Sequence, residues 1–145
     1  MPATELTDVS AVEKAFSSIN PNKPVYMLNI LKFRPVAVYD SSAPAEILSL
    51  PACSGQDAWQ QRYVPAFFAL PTMKGTRVPF SGKMVSKVLG LEDDNWDEVA
   101  LVEYKNIRVF RDTIASEEYK RLVVPHRVAA LADARLFALE FSGSI

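Results

Sequence analysis

The chain holds one histidine, His126, in the run "VVPHRVAALADARLFALE". Imidazole titrates near neutrality, so it gives and takes a proton at cellular pH without the large shift other side chains need. Two roles fit its place between Pro125 and Arg127. It could move a proton in an active site, or it could cap a helix end or bond a carbonyl. The phenols come next. Tyr26, Tyr63, Tyr104 and Tyr119 could orient a carbonyl or donate to a developing oxyanion, or be core residues with satisfied hydroxyls. Tyr63 is preferred, because Trp59, Tyr63 and Phe67 recur every fourth residue and share a helix face that could line an apolar pocket or form ordinary core. Asn29 interrupts the apolar run "VYMLNILKF" and needs backbone, ligand or water as a partner. Arg34, at the end of that run, could hold a carboxylate or phenolate or pair with a surface acid. Lys32 reads as a snorkelling surface lysine. The expected site therefore has His126 and Tyr63 as catalytic groups. Asn29, Arg34, Trp59, Phe67, Tyr104 and Tyr119 are its substrate-binding candidates.

Other chemistries find little support. One His and one Cys argue against a zinc site, and nothing independent supports His126 as a haem ligand. The glycines at 55, 75, 82, 90 and 143 form no G-x-G-x-x-G loop, so neither ATP nor a nicotinamide cofactor is indicated. No cofactor is expected. Cys53, in "PACSG", would need a nearby base to act as a nucleophile and reads as a bystander. The run "EDDNWDE" carries five of the 17 acidic residues. It lacks the spacing of a calcium loop and reads as a solvated turn. A net charge of −1 leaves no positive excess to release counterions from a nucleic acid. The single cysteine excludes an intrachain disulfide and fits a reducing, cytoplasmic setting. The N-terminus lacks the signal-peptide pattern, and no stretch approaches the roughly 20 apolar residues that span a bilayer.

The elements that must position these groups follow from periodicity. "TDVSAVEKAFSSI" reads as a helix, with Ser10 and Glu13 at capping-box spacing. "VYMLNILKF" is apolar on both faces, as in a central strand. Residues 35 to 54 are irregular and proline-rich, with a helical turn in "AEILSL", and long loops of this kind often act as binding lids. "GQDAWQQRYVPAFFAL" is helical, and Pro65 should kink or restart it. "VPFSGKMVSKVLG" and "DEVALVEY" form a hairpin about the acidic turn. Asn106 can cap "IRVFRDTI" and Ser116 can cap "EEYKRLVV". "HRVAALAD" is helical and "ARLFALEF" is a last strand. Glu103 and Glu140 lie on apolar strand faces and call for partners, for example Arg127 or Arg135.

This order is the βαββαβ pattern of an α+β, ferredoxin-like fold with a four-stranded antiparallel sheet. One domain spans residues 1–145, with an N-terminal helical extension at 1–24 and an insertion at 35–54. The strands are apolar on both faces, and a face that apolar calls for cover. A homodimer of face-to-face sheets supplies it.

The segments "MLNILKFR" and "WDEVALVEYKNIRVFRDTIASEEYKRLVVPHRVAALADARLFAL" together resemble the DUF1330 family of dimeric α+β barrel proteins. The likeness covers residues 25 to 34 and 55 to 140. The "HR-x-AAL-x-D-x-R-L" tail is its most specific part. The N-terminal helix and the insertion depart from the short family members. The resemblance implies the fold and a dimeric α+β barrel. It does not select an activity, since the wider superfamily includes monooxygenases, haem-degrading enzymes, cyclases and isomerases. Three functions stay open. The first is a cofactor-free enzyme moving a proton on an apolar carbonyl-bearing or polyphenolic substrate, of cyclase, isomerase or dehydratase type. The second is a cofactor-independent monooxygenase. The third is a non-catalytic homodimer that binds a small apolar or aromatic molecule or another partner.

Overall fold

The computed structural model describes residues 9–143. Its elements run α1 (Val9–Phe16), β1 (Val25–Phe33), α2 (Ala45–Leu48), α3 (Gly55–Asp57), a π-helical segment (Ala58–Tyr63), α4 (Val64–Phe68) and a 3-10 turn (Pro71–Met73). They continue with β2 (Arg77–Lys83), β3 (Glu98–Tyr104), α5 (Ile107–Ala115), a second π-helical segment (Tyr119–Val123), α6 (Val124–Ala130) and β4 (Leu131–Leu139). The strand order is β2-β3-β1-β4. β3 runs antiparallel to both β1 and β2. This is the antiparallel α+β, ferredoxin-like architecture expected from the βαββαβ order. Among the described residues no helix is long and apolar enough to cross a membrane.

The chain divides into two compact units that interleave along the sequence. The first takes in the chain up to Lys32, Thr76–Arg111 and the chain from Asp133 onward. Its sheet has two unlike faces. On one, Val25, Met27 and Leu31 of β1 sit beside Val102 and Tyr104 of β3, all buried. Tyr104 meets Phe110 edge-on at 5.2 Å, and Phe110 meets Phe16 of α1 at 5.9 Å. On the other face the register aligns Leu28, Leu101 and Phe80 in one row across three strands, and Ile30, Val99 and Gly82 in the next. Here Phe80 is 59% exposed.

Several details of this unit depart from expectation. Strand β2 ends at Lys83 rather than running on to Gly90, because β3 begins only at Glu98 and offers no partner further out. Ser10 lies inside α1, not at its cap, and residues 7 and 8 of the expected helix lie outside the described residues. Glu103 pairs with Arg77, its neighbour across the ladder, and Glu140 pairs with Lys23 at 3.0 Å. Arg135 holds Asp133 at 2.6 Å. The acidic run forms a turn in which the Asp94 carboxylate accepts from the Leu91 amide at 2.7 Å.

The second unit comprises Phe33–Gly75 and Asp112–Ala132. Residues 55–68 form one helical run whose middle widens to π geometry, and residues 119–130 repeat the construction. In each, the residue before a proline bonds five residues back: Val64 N–H to the Trp59 carbonyl, and Val124 N–H to the Tyr119 carbonyl. Proline has no N–H, and its ring clashes with the carbonyl four residues earlier. A widened turn moves that carbonyl aside, so Pro65 and Pro125 sit in the first turns of α4 and α6 without breaking the run. The kink or restart expected at Pro65 takes the form of a π segment that runs directly into α4 at Val64. The caps hold as expected: Ser116 Oγ accepts from Tyr119 N at 3.1 Å, and Asn106 at the start of α5 accepts from Val109 N at 3.2 Å. Helix α6 ends at Ala130, three residues earlier than its alanine-rich sequence suggests, because Leu131 already has extended geometry as the first residue of β4.

Candidate functional site

The second unit assembles the site around His126, in the first turn of α6. Its ring is buried at 6% exposure. Nδ1 lies 2.7 Å from the hydroxyl of Tyr39, and the two rings meet edge-on at 5.5 Å. Tyr39 comes from the irregular stretch after β1. Arg62 Nη1 donates to the same hydroxyl oxygen at 3.2 Å, and Arg62 Nη2 donates to the Pro51 carbonyl at 2.6 Å. The guanidinium also sits 5.7 Å from the centre of the Tyr39 ring. Because the Tyr39 oxygen accepts from Arg62, its own proton is best directed at Nδ1. That leaves the histidine proton on Nε2. Burial first, and the charge of Arg62 second, hold His126 below its usual value of 6.5. Both causes favour the neutral ring, with one nitrogen engaged by Tyr39. Nε2 has no hydrogen-bond partner among the described residues.

The backbone fixes this chain of groups in place. Arg34 N–H donates to the Ala130 carbonyl at 2.8 Å, and Val38 N–H donates to Ala129 at 3.1 Å. Ala37 N–H donates to Cys53, and Gly55 N–H to Arg34. A Cβ on Gly55 would lie 2.3 Å from the Arg34 oxygen and 2.5 Å from the Ala130 oxygen, so only glycine fits. The segment carrying Tyr39 is laced to the C-terminal end of α6, the helix that carries His126 in its first turn. Ser54 caps the run that carries Arg62, accepting from Asp57 N at 3.0 Å.

The aromatic face predicted from fourfold spacing is real, and its rings face one another. Trp59 stacks on Tyr63 at 4.1 Å, Tyr63 on Phe67 at 5.5 Å, and Phe67 meets Tyr119 at 5.9 Å. Phe33 reaches Trp59 at 6.3 Å, and the Arg127 guanidinium stands 5.7 Å from the Trp59 ring. Trp59, Tyr63, Phe67 and Tyr119 are all buried. Burial pushes the Tyr63 phenol up, with Arg127 pulling the other way. Arg34 serves chiefly through its backbone, and its Nε is buried without a hydrogen-bond partner among the described residues.

Asn29 and Tyr104 belong to the first unit. The Asn29 amide donates to the carbonyls of Met27 at 3.2 Å and Ala100 at 3.3 Å, so backbone answers the question its polarity raised. Tyr104 packs on Phe110 as described. A cavity in this unit runs along residues 18–25 and 138–140, and no candidate residue lines it. Cys53 is free and half-buried, and no group of three or more His, Cys, Asp or Glu among the described residues could hold a metal ion. The structure therefore brings His126 together with Tyr39 and Arg62, neither of which the sequence singled out. Tyr39 lies in a stretch without periodicity. Its only signal was a tyrosine inside a long loop of the kind that carries function.

No protein-family model and no curated protein matches the chain. Among solved structures, a protein of unknown function from Rhodopseudomonas palustris, RPA0582, is similar at a TM-score of 0.79 and 24% identity, covering 99% of this chain and 100% of its own. Its methylated form matches at a TM-score of 0.75 over 98% of this chain and 96% of its own. A dimeric protein of unknown function and ferredoxin-like fold from Bacteroides fragilis matches at 0.47 and 12% identity, over 85% of this chain and 99% of its own. The RPA0582 likeness shows that the chain shares that fold over nearly its whole length.

Proposed function

We propose that the chain is an enzyme that moves a proton on an apolar, carbonyl-bearing or polyphenolic substrate without metal or nucleotide, as a cyclase, isomerase or dehydratase does. The observation that carries this reading is the Arg62–Tyr39–His126 chain. Nε2–H of a neutral histidine can donate to a carbonyl or enolate oxygen, which is the role of a buried imidazole of lowered pKa. As Nε2 gives its proton to an enolate oxygen, Nδ1 takes the proton of Tyr39. The negative charge leaves the substrate and comes to rest on the Tyr39 phenolate, 3.2 Å from the Arg62 guanidinium. Run backwards, the same relay deprotonates an enol or a phenol. The single histidine and cysteine, and the absence of a phosphate-binding glycine motif, support chemistry that needs no bound cofactor.

Hydrogen–deuterium exchange into a panel of β-dicarbonyl and polyphenolic compounds, followed by proton NMR, tests this. The wild type is expected to speed exchange in one member of the panel, with H126Q and Y39F each losing ~100-fold or more. No acceleration by the wild type on any member would sink the reading. The second reading is a non-catalytic ligand-binding homodimer, favoured by the closed aromatic stack. Ligand binding untouched by H126Q, with no turnover, would mark it. The cofactor-independent monooxygenase gains no specific observation here.

A homodimer belongs to both readings. The open sheet face with Leu28, Leu101 and Phe80 in register supports it, as does the resemblance of residues 25–34 and 55–140 to DUF1330. A charge in that row, Leu101→Glu, should give a folded monomer in size-exclusion chromatography. A wild type that elutes as a monomer at every concentration would remove the dimer.

A further inference from the structure

Between β2 and β3, residues 84–97 leave the sheet as an arm. Its base continues the ladder, with Met84 N–H donating to the Asp97 carbonyl at 2.9 Å. Its tip is tied internally: Lys87 Nζ donates to the carbonyls of Leu91 at 2.6 Å and Glu92 at 3.0 Å, and Asp94 accepts from Leu91 N. The backbone is thus fastened while its apolar side chains point outward. Val85, Val88, Leu89 and Leu91 are 90, 95, 96 and 73% exposed. Single exposed aliphatics are normal, but four on one fastened tip mark an interaction site.

We infer that this arm grips a second copy of the chain, packing its four aliphatic side chains on apolar surface of the partner. The inference rests on the homodimer proposed above and adds a second point of contact to it. Two observations choose the occupant. The first is charge: residues 83–97 hold two lysines against four acids. Lipid surfaces attract basic, not acidic, apolar segments. The second is area. The arm tip, together with the exposed Phe80, Phe137 and Phe141 of the same unit, presents on the order of 500–850 Å² of surface per protomer. A standard-size interface takes about 800 Å² from each partner. The three phenylalanines alone fall short of that, and the arm brings the total into range.

The test is sedimentation equilibrium of the full chain and of the variant V85S/V88S/L89S/L91S, whose changes are all exposed. Circular dichroism should be unchanged, and the dimer dissociation constant should rise by ~100-fold or more. A variant that dimerises with the wild-type constant overturns the arm's role and leaves the dimer standing. A wild type that stays monomeric at its highest soluble concentration overturns both, beginning with the dimer. Co-pelleting of the wild type with phosphatidylserine-containing vesicles, lost in the variant, would instead assign the arm to a membrane surface and overturn the inference.

Discussion

Burial, and after it the charge of Arg62, hold His126 below its ordinary value, and that has a consequence for stability. A folded-state value below 6.5 means that the unfolded chain binds a proton the folded chain refuses. The stability this contributes is whole above the unfolded value and is lost as pH falls through the folded one. Urea melts of the wild type and H126Q should therefore diverge below pH ~6.5, with the wild type losing stability faster as acid is added. Arg62→Met removes the second cause and should move the onset of His126 protonation upward, read from its ring resonances by NMR. Tyr39→Phe deletes the part-buried hydrogen bonds of its hydroxyl to His126 and from Arg62 and should cost about 1–3 kcal/mol in the same melts. At this scale the sequence told half the story. A lone histidine draws the eye by its chemistry. Tyr39 and Arg62 meet it only through loop and helix geometry that no local spacing encodes.

The helical runs explain how those groups are held. Both carry a proline that a regular α-helix would reject, and both widen by one residue to keep it. Pro125→Ala restores an N–H and removes the ring clash, so the second run can tighten to α geometry. The expected outcome is a folded protein in which the His126 and Tyr39 ring resonances both move. Gly55 is the tighter constraint. Gly55→Ala pushes a methyl into two carbonyl oxygens and should cost about 3 kcal/mol or more in thermal melts. Fourfold aromatic spacing and the caps at Ser116 and Asn106 were legible, because they depend on neighbours within one turn. The π segments were not, since a hydrophobic period of 3.6 looks the same through one inserted residue. The close approach at Gly55 depends on residues far apart in sequence, so a lone glycine gave no sign of it.

For the whole molecule, the strand order was legible because connection rules leave few ways to arrange strand, helix and hairpin. The apolar character of both strand faces was also legible, and the structure shows one face buried and one open. The position of the arm was not, since "KMVSKVLG" has the composition of a strand and lacks only a partner. If the open face is covered by a second copy, thermal stability should depend on protein concentration. The melting temperature of the wild type should rise with concentration in scanning calorimetry, and that of Leu101→Glu should not.

The bond from Ala37 N–H to the Cys53 carbonyl closes a loop at its neck. The loop it closes carries Tyr39 near one end and the Pro51 carbonyl near the other, and Glu46 and the buried Ile47 between them. Extending such a loop costs little, about 0.6 kcal/mol for each doubling of its length. The exposed turn at Asp40, Ser41 and Ser42 is then a place to graft a foreign peptide. Inserted there, an epitope or a substrate-gripping segment would sit beside His126 with the scaffold unchanged.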